Sequence, residues 1–415
     1  MTPFNCDLIV IGAGAAGLMA GIQAAQRGLS VIILEKMDRP GRKILITGKG
    51  RCNVTNCCTV EEFMPNVTTN SRFLYSSLSN CSPYEIMGFF EELGVPLKVE
   101  RGQRVFPQSD KAGDIAAALS GRAKALGCTI RCGAPVASLL LEEGRAAGVK
   151  MADGQTCRAP NVLVATGGKS YPGTGSTGDG YALARQAGHT VTRLKPSLVP
   201  IVCHDSCCAD LMGLSLKNVT LTVMDTKTNK QVFSELGEML FTHFGVSGPL
   251  VLSASCSMGG NLSRYKLLVD MKPGLSPQQL DARLLRDFTQ FQNKAFINSL
   301  SLLLPRKMIP VVVSRCGIPG ETKVNQITRE QRQRLGETIK AFPLAPKCFR
   351  PIEEAVVTSG GVEVKEVSPK TMESKKVPGL YFAGEVLDVD GYTGGFNLQI
   401  AFSTGFAAGN AVGKP

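Results

Sequence analysis

One segment near the start of the chain restricts the possible folds more than any other. Residues 7–11 (DLIVI) are a continuous apolar run that predicts a buried strand, and the glycine-rich hexapeptide GAGAAG follows at residues 12–17. A helical pattern then extends to Gln26, and a second apolar strand ends at Glu35. A strand, a glycine-rich turn, a helix, a strand and an acid in this order predict an α/β fold of the Rossmann type, which binds a dinucleotide.

Each glycine of the hexapeptide has a mechanical role in such a unit. Gly12 allows the tight turn, Gly14 lets the backbone approach a pyrophosphate, and Gly17 lets the helix pack closely against the strand. The N terminus of the helix then stabilises the phosphates. Glu35 lies 18 residues beyond Gly17, about where a carboxylate accepts hydrogen bonds from the hydroxyls of an adenosine ribose.

The composition and the pattern of apolar residues favour a cytosolic globular protein. The chain has 415 residues, of which 43% are hydrophobic, and this length predicts two or three domains with a sizeable core. The apolar stretch at residues 8–22 is interrupted by glycines, has no basic flank and is too short to span a bilayer. We therefore expect no signal peptide, no membrane contact and a cytoplasmic location.

The 14 cysteines do not predict a disulfide framework. Such frameworks belong to short secreted chains, whereas this chain is long and lacks an export signal. Cys203, His204 and Cys207 lie close together in the sequence, but their spacing is a poor match to that of zinc ligands. We expect reduced thiols and no metal site.

Positive charge is concentrated in one part of the chain. The chain has 46 Lys and Arg residues against 34 Asp and Glu residues. Residues 262–350 alone contain 16 Lys and Arg residues and 6 Asp and Glu residues. A basic segment attracts polyanions such as RNA, DNA or acidic membrane surfaces, and the alternative is a solvated helical face. The basic residues of the helical part include Arg283, Arg286, Lys294, Arg306, Lys307, Arg329, Arg332 and Arg334.

Three further blocks have the composition of loops around a nucleotide. Residues 41–56 (GRKILITGKGRCNVTN) combine four cations with three glycines, which favours a loop over phosphates and a polar ring. Residues 165–181 (ATGGKSYPGTGSTGDGY) follow a buried strand, and Asp179 is expected to be the N-cap of the next helix. Residues 379–405 (GLYFAGEVLDVDGYTGGFNLQIAFSTG) join a buried strand to a helix expected from Ile400. The two glycines before that helix let a flat ligand approach free N–H groups.

The periodicity of the apolar residues predicts an insertion within an insertion. Short strands with polar turns give way to a helical period at Ser276-Pro277, where Ser is the expected N-cap, and Thr328 opens the last helix of this part. The buried-strand pattern of the first domain then returns. The expected boundaries are 1–190 and 355–415 for the nucleotide-binding domain, 191–275 and 343–354 for an inserted β-rich domain, and 276–342 for a helical insert within it.

In this order, the four glycine-rich blocks resemble those of the YhiN/BaiN family of FAD flavoproteins, and the resemblance covers nearly the whole chain. It implies a Rossmann-like FAD-binding domain similar to those of glutathione reductase and succinate dehydrogenase, with FAD bound non-covalently. The cofactor-binding residues that it implies are Gly12, Ala13, Gly14, Ala15, Ala16, Gly17, Glu35, Lys36, Arg42, Lys43, Thr47, Gly48, Arg51, Cys52, Asn53, Val136, Thr166, Gly167, Gly168, Asp179, Gly384, Glu385, Gly395, Asn397 and Leu398.

The resemblance also implies which part of FAD several of these residues contact. The loop at residues 42–53 would run along the pyrophosphate, the ribityl chain and the flavin. Val136 would contact the adenine through its backbone, and Glu385 would contact the ribityl chain. Asn397 and Leu398 would present N–H groups to the pyrimidine edge of the flavin. That edge gains negative charge on reduction, so a helix N terminus there would stabilise the reduced cofactor.

The resemblance implies an oxidoreductase but leaves the substrate open. Members of the family are linked to reduction of a uracil base in ribosomal RNA, to reduction of bile-acid or steroid rings, and to amine oxidation. With the basic segment, this favours a reductase that delivers hydride from reduced flavin to an activated C=C bond, converting uridine to dihydrouridine in 23S ribosomal RNA. The alternative is a small-molecule flavoenzyme, either a steroid or bile-acid enone reductase or an aminoacetone-type amine oxidase. No second GxGxxG motif is present, so NAD(P)H has no Rossmann domain of its own. This fits either a transient visit of NAD(P)H to the flavin, which we expect, or no use of NAD(P)H at all.

Three residues are candidates for the general acid that protonates the substrate. Cys52 lies in the loop expected beside the flavin, where neighbouring Arg51 would perturb its pKa, and the alternative is that it only packs beneath the ring. Tyr392 lies in the fourth block. His243 has aromatic neighbours in the sequence, which favour a core or pocket position.

Overall fold

The computed structural model describes residues 5–413, and these residues divide into two compact units. The first unit comprises the described chain up to Ser197 and again from Ile352 onwards. The second unit spans Leu198–Pro351. The second unit is therefore inserted between the two segments that form the first. The finer division of this insertion into a β-rich domain and a helical insert stays a prediction.

The first segment of the chain alternates short strands with helices. Its strands are β1 (Leu8–Ile11), β2 (Val31–Glu35), β3 (Thr55–Asn56), β4 (Leu97–Glu100), β5 (Arg104–Pro107), β6 (Thr129–Cys132), β7 (Val136–Glu142), β8 (Arg145–Met151), β9 (Thr156–Arg158), β10 (Asn161–Val164) and β11 (Lys195–Ser197). Its helices are α1 (Ala15–Gln26), α2 (Arg42–Ile46), α3 (Val60–Phe63), α4 (Tyr75–Asn80), α5 (Pro83–Glu92), α6 (Ala112–Ala125) and α7 (Asp179–Gln186).

The second unit combines strands with a run of helices, and the chain then returns to the first unit. The strands of the second unit are β12 (Ile201–Cys203), β13 (Ser215–Asp225), β14 (Lys230–Thr242), β15 (Gly245–Ser247), β16 (Tyr265–Asp270), β17 (Phe342–Leu344) and β18 (Pro346–Phe349). Its helices are α8 (Cys207–Asp210), α9 (Pro249–Cys256), α10 (Pro277–Gln290), α11 (Phe296–Ser299), α12 (Met308–Cys316) and α13 (Arg329–Lys340). The returning segment contains β19 (Val357–Ser359), β20 (Leu380–Phe382) and α14 (Phe396–Ala411).

The first unit is built on a parallel sheet with the strand order β20-β10-β1-β2-β6. All four residues of β1 are buried, as expected for a parallel strand that is covered on both faces. Because the strands are parallel, their carboxyl ends meet at one edge of the sheet. The glycine-rich turn after β1, Glu35 at the end of β2, and the segments after β10 and β20 therefore lie together, at the edge where open α/β sheets bind ligands.

Helices α1 and α14 pack against each other, and glycines allow the close approach. A Cβ at Gly405 or at Gly409 would lie under 3.0 Å from the backbone oxygen of Ala16 or Ala20, respectively. The last helix of the chain is thereby held against the helix that follows the glycine-rich turn.

The second unit has its own sheet and its own hydrophobic core. The sheet has the strand order β17-β16-β13-β14-β15-β12-β18, and its pairs are antiparallel. Phe241 from the sheet, Phe296 from α11 and Phe342 are fully buried in that core. The expected helix starts are confirmed, because Ser276 and Thr328 each form a capping box at the N terminus of α10 and α13.

Two expectations about helix starts are wrong. Asp179 is not an N-cap, because α7 begins at Asp179 itself and Gly178, with a φ of 89°, occupies the cap position. Helix α14 begins at Phe396 rather than at Ile400, directly after Gly395. In both cases a glycine with positive φ directs the chain into the helix earlier than the apolar pattern indicates. Within residues 5–413, no helix has both the length and the apolar character needed to cross a membrane.

Candidate functional site

The turn between β1 and α1 forms an open backbone cradle. A Cβ at Gly17 would lie under 3.0 Å from Gly12 O, and a Cβ at Gly12 would lie 2.5 Å from Ala165 O, so both glycines are needed for packing. Gly14 is different, because no atom lies within 4 Å of the position that its Cβ would take. Helix α1 begins there without a side-chain cap. Its first N–H groups therefore face an open space of the kind that a pyrophosphate fills.

Glu35 ties the end of β2 to this turn. Its Oε2 accepts a hydrogen bond from the Ala13 N–H at 2.8 Å, and its Oε1 accepts one from the Met37 N–H at 2.9 Å. The carboxylate thus orders the backbone on both sides of the cradle. Its contact with the adenosine ribose stays a prediction.

We expect Glu35→Ala to weaken FAD binding by about 1.5–3 kcal/mol, the range for a hydrogen bond to a charged group. The fold should survive, because the side chain is only half-buried at a strand end. Titration of the FAD-free protein with FAD measures the change. Asp38→Ala is the matched control, because Asp38 is a nearby acid whose carboxylate pairs with Arg42 instead, at 3.1 Å. An unchanged FAD dissociation constant in Glu35→Ala would show that Glu35 is only a strand cap.

Two charged pairs line the edge of the sheet beyond the cradle. Lys36 Nζ lies 2.6 Å from Asp179 Oδ2 and also donates a hydrogen bond to Thr177 Oγ1. Lys43 Nζ lies 2.6 Å from Glu385 Oε2. Four of the residues expected at the cofactor are therefore brought together as opposite charges from distant parts of the chain.

The Lys43–Glu385 pair belongs to a network that sequence reasoning missed in part. Ser170, which is fully buried, accepts a hydrogen bond from Lys43 Nζ at 2.8 Å and donates one to Glu385 Oε1 at 3.0 Å. The backbone N–H of Thr358 donates to the same Oε1 at 2.8 Å. A Cβ at Gly168 would lie 2.5 Å from Thr358 Oγ1. Ser170 lies within a recognised block, whereas the sequence around Thr358 carries no signal.

The loop after α2 has an unusual backbone and encloses Cys52. Gly48, Lys49 and Cys52 all have positive φ, of 57°, 60° and 60°. A Cβ at Gly48 would lie 2.9 Å from Asn53 N, and Thr47 Oγ1 donates to Ile44 O at 2.7 Å. The loop therefore folds tightly back on itself.

Cys52 itself is fully buried, and burial raises the pKa of its thiol to about 12. The expectation that Arg51 perturbs this pKa is wrong. The Arg51 guanidinium pairs instead with Glu100 and with Asp110, at 2.7 Å from the latter, and lies over the ring of Phe106. Cys52 thus stays protonated at neutral pH for a reason that the sequence did not indicate. Its role as the acid remains a prediction.

The N terminus of α14 supplies a second set of free backbone N–H groups. Gly395 has a φ of 99° and precedes the helix, which has no side-chain cap. The Gln399 N–H makes the first helical bond, to Gly395 O, so the N–H groups of residues 396–398 precede the helical ladder. The side chain of Asn397 accepts from Gly391 N–H at 2.9 Å and donates to Gly391 O at 2.7 Å. It is therefore the backbone of Asn397 and Leu398, not the Asn397 amide, that is open to a ligand.

The other two candidate acids lie in different units. Tyr392 is half-buried in the first unit, and its backbone N–H donates to Asn66 O at 2.9 Å. His243 lies in the second unit between β14 and β15, and it is exposed, with its ring against Phe244 at a centroid distance of 5.1 Å. A core position for His243 is therefore wrong, because the side chain is exposed, whereas a pocket position stays a prediction.

The remaining predicted residues also lie in the first unit. Val136 begins β7 and is paired with Met151. A Cβ at Gly384 would lie 2.9 Å from the Cβ of Ala16, which places the segment after β20 against α1. Thr166 and Gly167 follow β10 at the same edge of the sheet. Among residues 5–413, no group of three or more His, Cys, Asp or Glu side chains is arranged to hold a metal ion.

The parallel sheet, the open cradle and the charged edge are those of a Rossmann-like fold that binds FAD. Comparison with known proteins agrees. The chain belongs to the HI0933-like family, whose Rossmann-domain model matches residues 6–411, and this family consists of FAD-dependent oxidoreductases. The expected fold and the resemblance to the YhiN/BaiN family are thereby confirmed.

Two relatives share about a third of their residues with this chain over nearly their full lengths. The chain is 33% identical to a ribosomal RNA dihydrouridine synthase of Escherichia coli K12, over 97% of this chain and 96% of the relative. It is also 33% identical to a 3-dehydro-bile acid delta(4,6)-reductase of Clostridium scindens, over 98% of each. Among solved structures, a flavocytochrome c3 fumarate reductase matches with a TM-score of 0.54 and 16% identity, over 98% of this chain and 78% of that one. That last likeness concerns the fold alone.

Proposed function

We propose that this protein is an FAD-dependent reductase that converts uridine to dihydrouridine in 23S ribosomal RNA. A ribosomal RNA dihydrouridine synthase and a bile-acid reductase are each 33% identical to the chain. Sequence identity therefore does not distinguish an RNA substrate from a small-molecule substrate. The observation that favours RNA is a set of exposed, unpaired cations on the second unit. An RNA substrate would also place the reaction in the cytoplasm.

Two groups can be distinguished among the basic residues of the second unit. In the first group the charge is neutralised within the fold, as in Arg283 with Asp287 at 2.8 Å and Arg332 with Asp281 at 2.7 Å. The second group is exposed, and no described residue forms an ion pair or hydrogen bond with its side chains. In the helices and turns between residues 277 and 340 it includes Arg286, Arg306, Lys323 and Arg329. Side chains of this second kind are free to contact phosphates, which supply most of the affinity for nucleic acids.

The reaction requires a hydride at one carbon of the base and a proton at its neighbour. When bound and reduced, FAD supplies the hydride, for which NAD(P)H is the proposed electron source. The protein must supply the proton, and Cys52 is proposed as its source because it lies in the loop expected beside the flavin and its thiol is protonated at neutral pH. Tyr392 and His243 remain the other candidates. The charged edge at Lys43 and Glu385 would orient the cofactor.

Ribosomal RNA from a deletion strain tests the proposal. We expect dihydrouridine in 23S ribosomal RNA to be lost on deletion and restored by the wild-type gene. A gene carrying Gly14→Val should not restore it, since that protein lacks the cofactor. Unchanged dihydrouridine in the deletion strain would exclude this activity.

Removal of the unpaired cations should weaken RNA binding and flatten its dependence on salt. We expect the variant with Arg286, Arg306, Lys323 and Arg329 all changed to Ala to lose up to four phosphate contacts, which lowers the slope of log affinity against log salt by about 3. FAD content should not change. Affinity for a 23S RNA fragment, measured at several salt concentrations, tests this.

The matched control removes the same charge from the first unit. Lys111, Lys124, Arg145 and Lys150 are exposed there, and their replacement by Ala should leave the salt slope as in the wild type. Equal effects of the two quadruple variants would mean that only net charge matters. Arg332 is left out of this variant, because it is paired with Asp281 and is therefore not free to contact phosphates.

The second candidate function is reduction of a steroid or bile-acid enone. The relative from Clostridium scindens favours it, with the same identity over 98% of the chain. Such an enzyme would not need the exposed cations. We would favour this function over RNA modification if a 3-oxo-Δ4 steroid oxidised the reduced flavin at the same rate in the wild type and in the quadruple Ala variant.

A further inference from the structure

The side chain of Asn56 anchors the turn that leads into α14. Its Nδ2 donates a hydrogen bond to Gly394 O at 3.0 Å and another to Gly102 O at 3.1 Å. Gly102 lies in the turn between β4 and β5. The amide of Asn56 therefore connects the turn before α14 to a hairpin almost 300 residues earlier in the chain. The Asn56 side chain is nearly completely buried.

Asn53 holds the next residue of the same turn. With its amide oriented to satisfy its hydrogen bonds, Oδ1 accepts from Gly395 N–H at 2.9 Å. Its Nδ2 then donates to Val105 O at 3.1 Å and to Thr55 O at 3.0 Å. Asn53 and Asn56 thus hold the two consecutive glycines before α14, one by its N–H and the other by its carbonyl.

Close contacts also prevent the start of α14 from shifting relative to β3. A Cβ at Gly395 would lie under 3.0 Å from Thr55 O, so the backbones of β3 and the turn are already in close contact. Thr55 Oγ1 donates to Gln399 Oε1 at 2.6 Å in the first turn of the helix, and both residues are fully buried. The start of α14 is therefore fixed in position relative to β3.

The position of this helix end has an electrostatic consequence. The free N–H groups of residues 396–398 carry the partial positive charge of the helix N terminus, and this effect falls off within one turn. A cofactor ring whose edge becomes more negative on reduction is stabilised by that charge only while the distance is kept short. Residues that fix the N terminus of α14 therefore favour reduced FAD over oxidised FAD.

We propose that Asn53 and Asn56 are positioning residues that raise the two-electron reduction potential of the bound FAD by holding the N terminus of α14 in place. This inference rests on the FAD-dependent activity proposed above, but not on RNA as the substrate. The potential is measured without any substrate, so its outcome is independent of whether dihydrouridine or a steroid is the product.

Spectroelectrochemical titration of the FAD-loaded protein tests the proposal. In Asn56→Ala we expect the preference for reduced over oxidised FAD to fall about tenfold, which lowers the midpoint potential by about 30 mV for a two-electron couple. The milder Asn56→Ser, which no longer reaches both carbonyls, should shift the potential in the same direction, and it serves as the test if Asn56→Ala does not retain FAD.

Asn161→Ala is the matched control. Asn161 also donates from Nδ2 to a backbone carbonyl, Asp7 O at 3.0 Å, but it lies at the start of β10, at the opposite edge of the sheet from the site. Its loss should lower thermal stability without a change in potential. A wild-type potential in both Asn56 variants would overturn the proposal, as would an equal shift in Asn161→Ala.

Discussion

Replacement of Gly14 by valine is expected to abolish retention of FAD while the protein remains folded. The φ and ψ of Gly14, −84° and −169°, are accessible to any residue, and no atom lies within 4 Å of the Cβ position. The new side chain therefore causes no clash in the FAD-free protein. It occupies the space in front of the first turn of α1, where the pyrophosphate would bind.

The absorbance of oxidised flavin in the purified protein measures this effect, with circular dichroism to establish folding. Gly17→Val is the contrasting variant, because its Cβ would lie under 3.0 Å from Gly12 O and so should disrupt the fold itself. A yellow, folded Gly14→Val protein with a wild-type FAD content would mean that the cofactor does not use this cradle.

Gly395→Ala is expected to have the second large effect, by destabilising the start of α14. The positive φ of 99° costs an L-residue about 1–2 kcal/mol. The added Cβ also meets the backbone of Thr55, which adds about 1–3 kcal/mol for overpacking. The total of about 2–5 kcal/mol should appear in urea unfolding of the FAD-free protein, and FAD binding should weaken as well.

Gly94→Ala separates the two contributions. Gly94 follows α5 with a φ of 78°, and nothing lies within 4 Å of its Cβ position. It therefore incurs the backbone strain without the clash. Equal losses of stability in Gly94→Ala and Gly395→Ala would contradict the close contact between the turn and β3.

The part of the site that could be predicted from the sequence is the part made of local contacts. The unit from β1 to Glu35 brings all its functional atoms together within 35 residues, so the spacing of the glycines was sufficient. The residues of the two charged pairs at the edge of the sheet were predicted individually, but their pairing was not. Lys43 and Glu385 come from segments more than 300 residues apart, and their pairing depends on the order of strands in the sheet.

The unpredicted features are those in which a distant segment supplies the partner. Arg51 was expected to act on its neighbour Cys52, but Glu100 and Asp110, at the end of β4 and beyond β5, draw its guanidinium away. The first turn of α14 was not recognised as helix, because Asn397 and Gln399 look like loop residues. The Gln399 amide bonds to Cys81 O in a distant segment, and the Asn397 amide bonds to the turn that precedes the helix, which periodicity does not reveal.

The split construction of the first unit has a consequence for the order in which the chain folds during synthesis. The second unit is continuous from Leu198 to Pro351, so all of it is synthesised before β20 and α14. Since domains generally fold as units, we expect it to fold first, while the first unit waits for its missing edge strand and last helix. The pairing of β20 with β10 then closes a loop of more than 200 residues. The cofactor site is therefore the last part of the nascent protein to be completed, and a ribosome that stops before residue 380 leaves it unfinished.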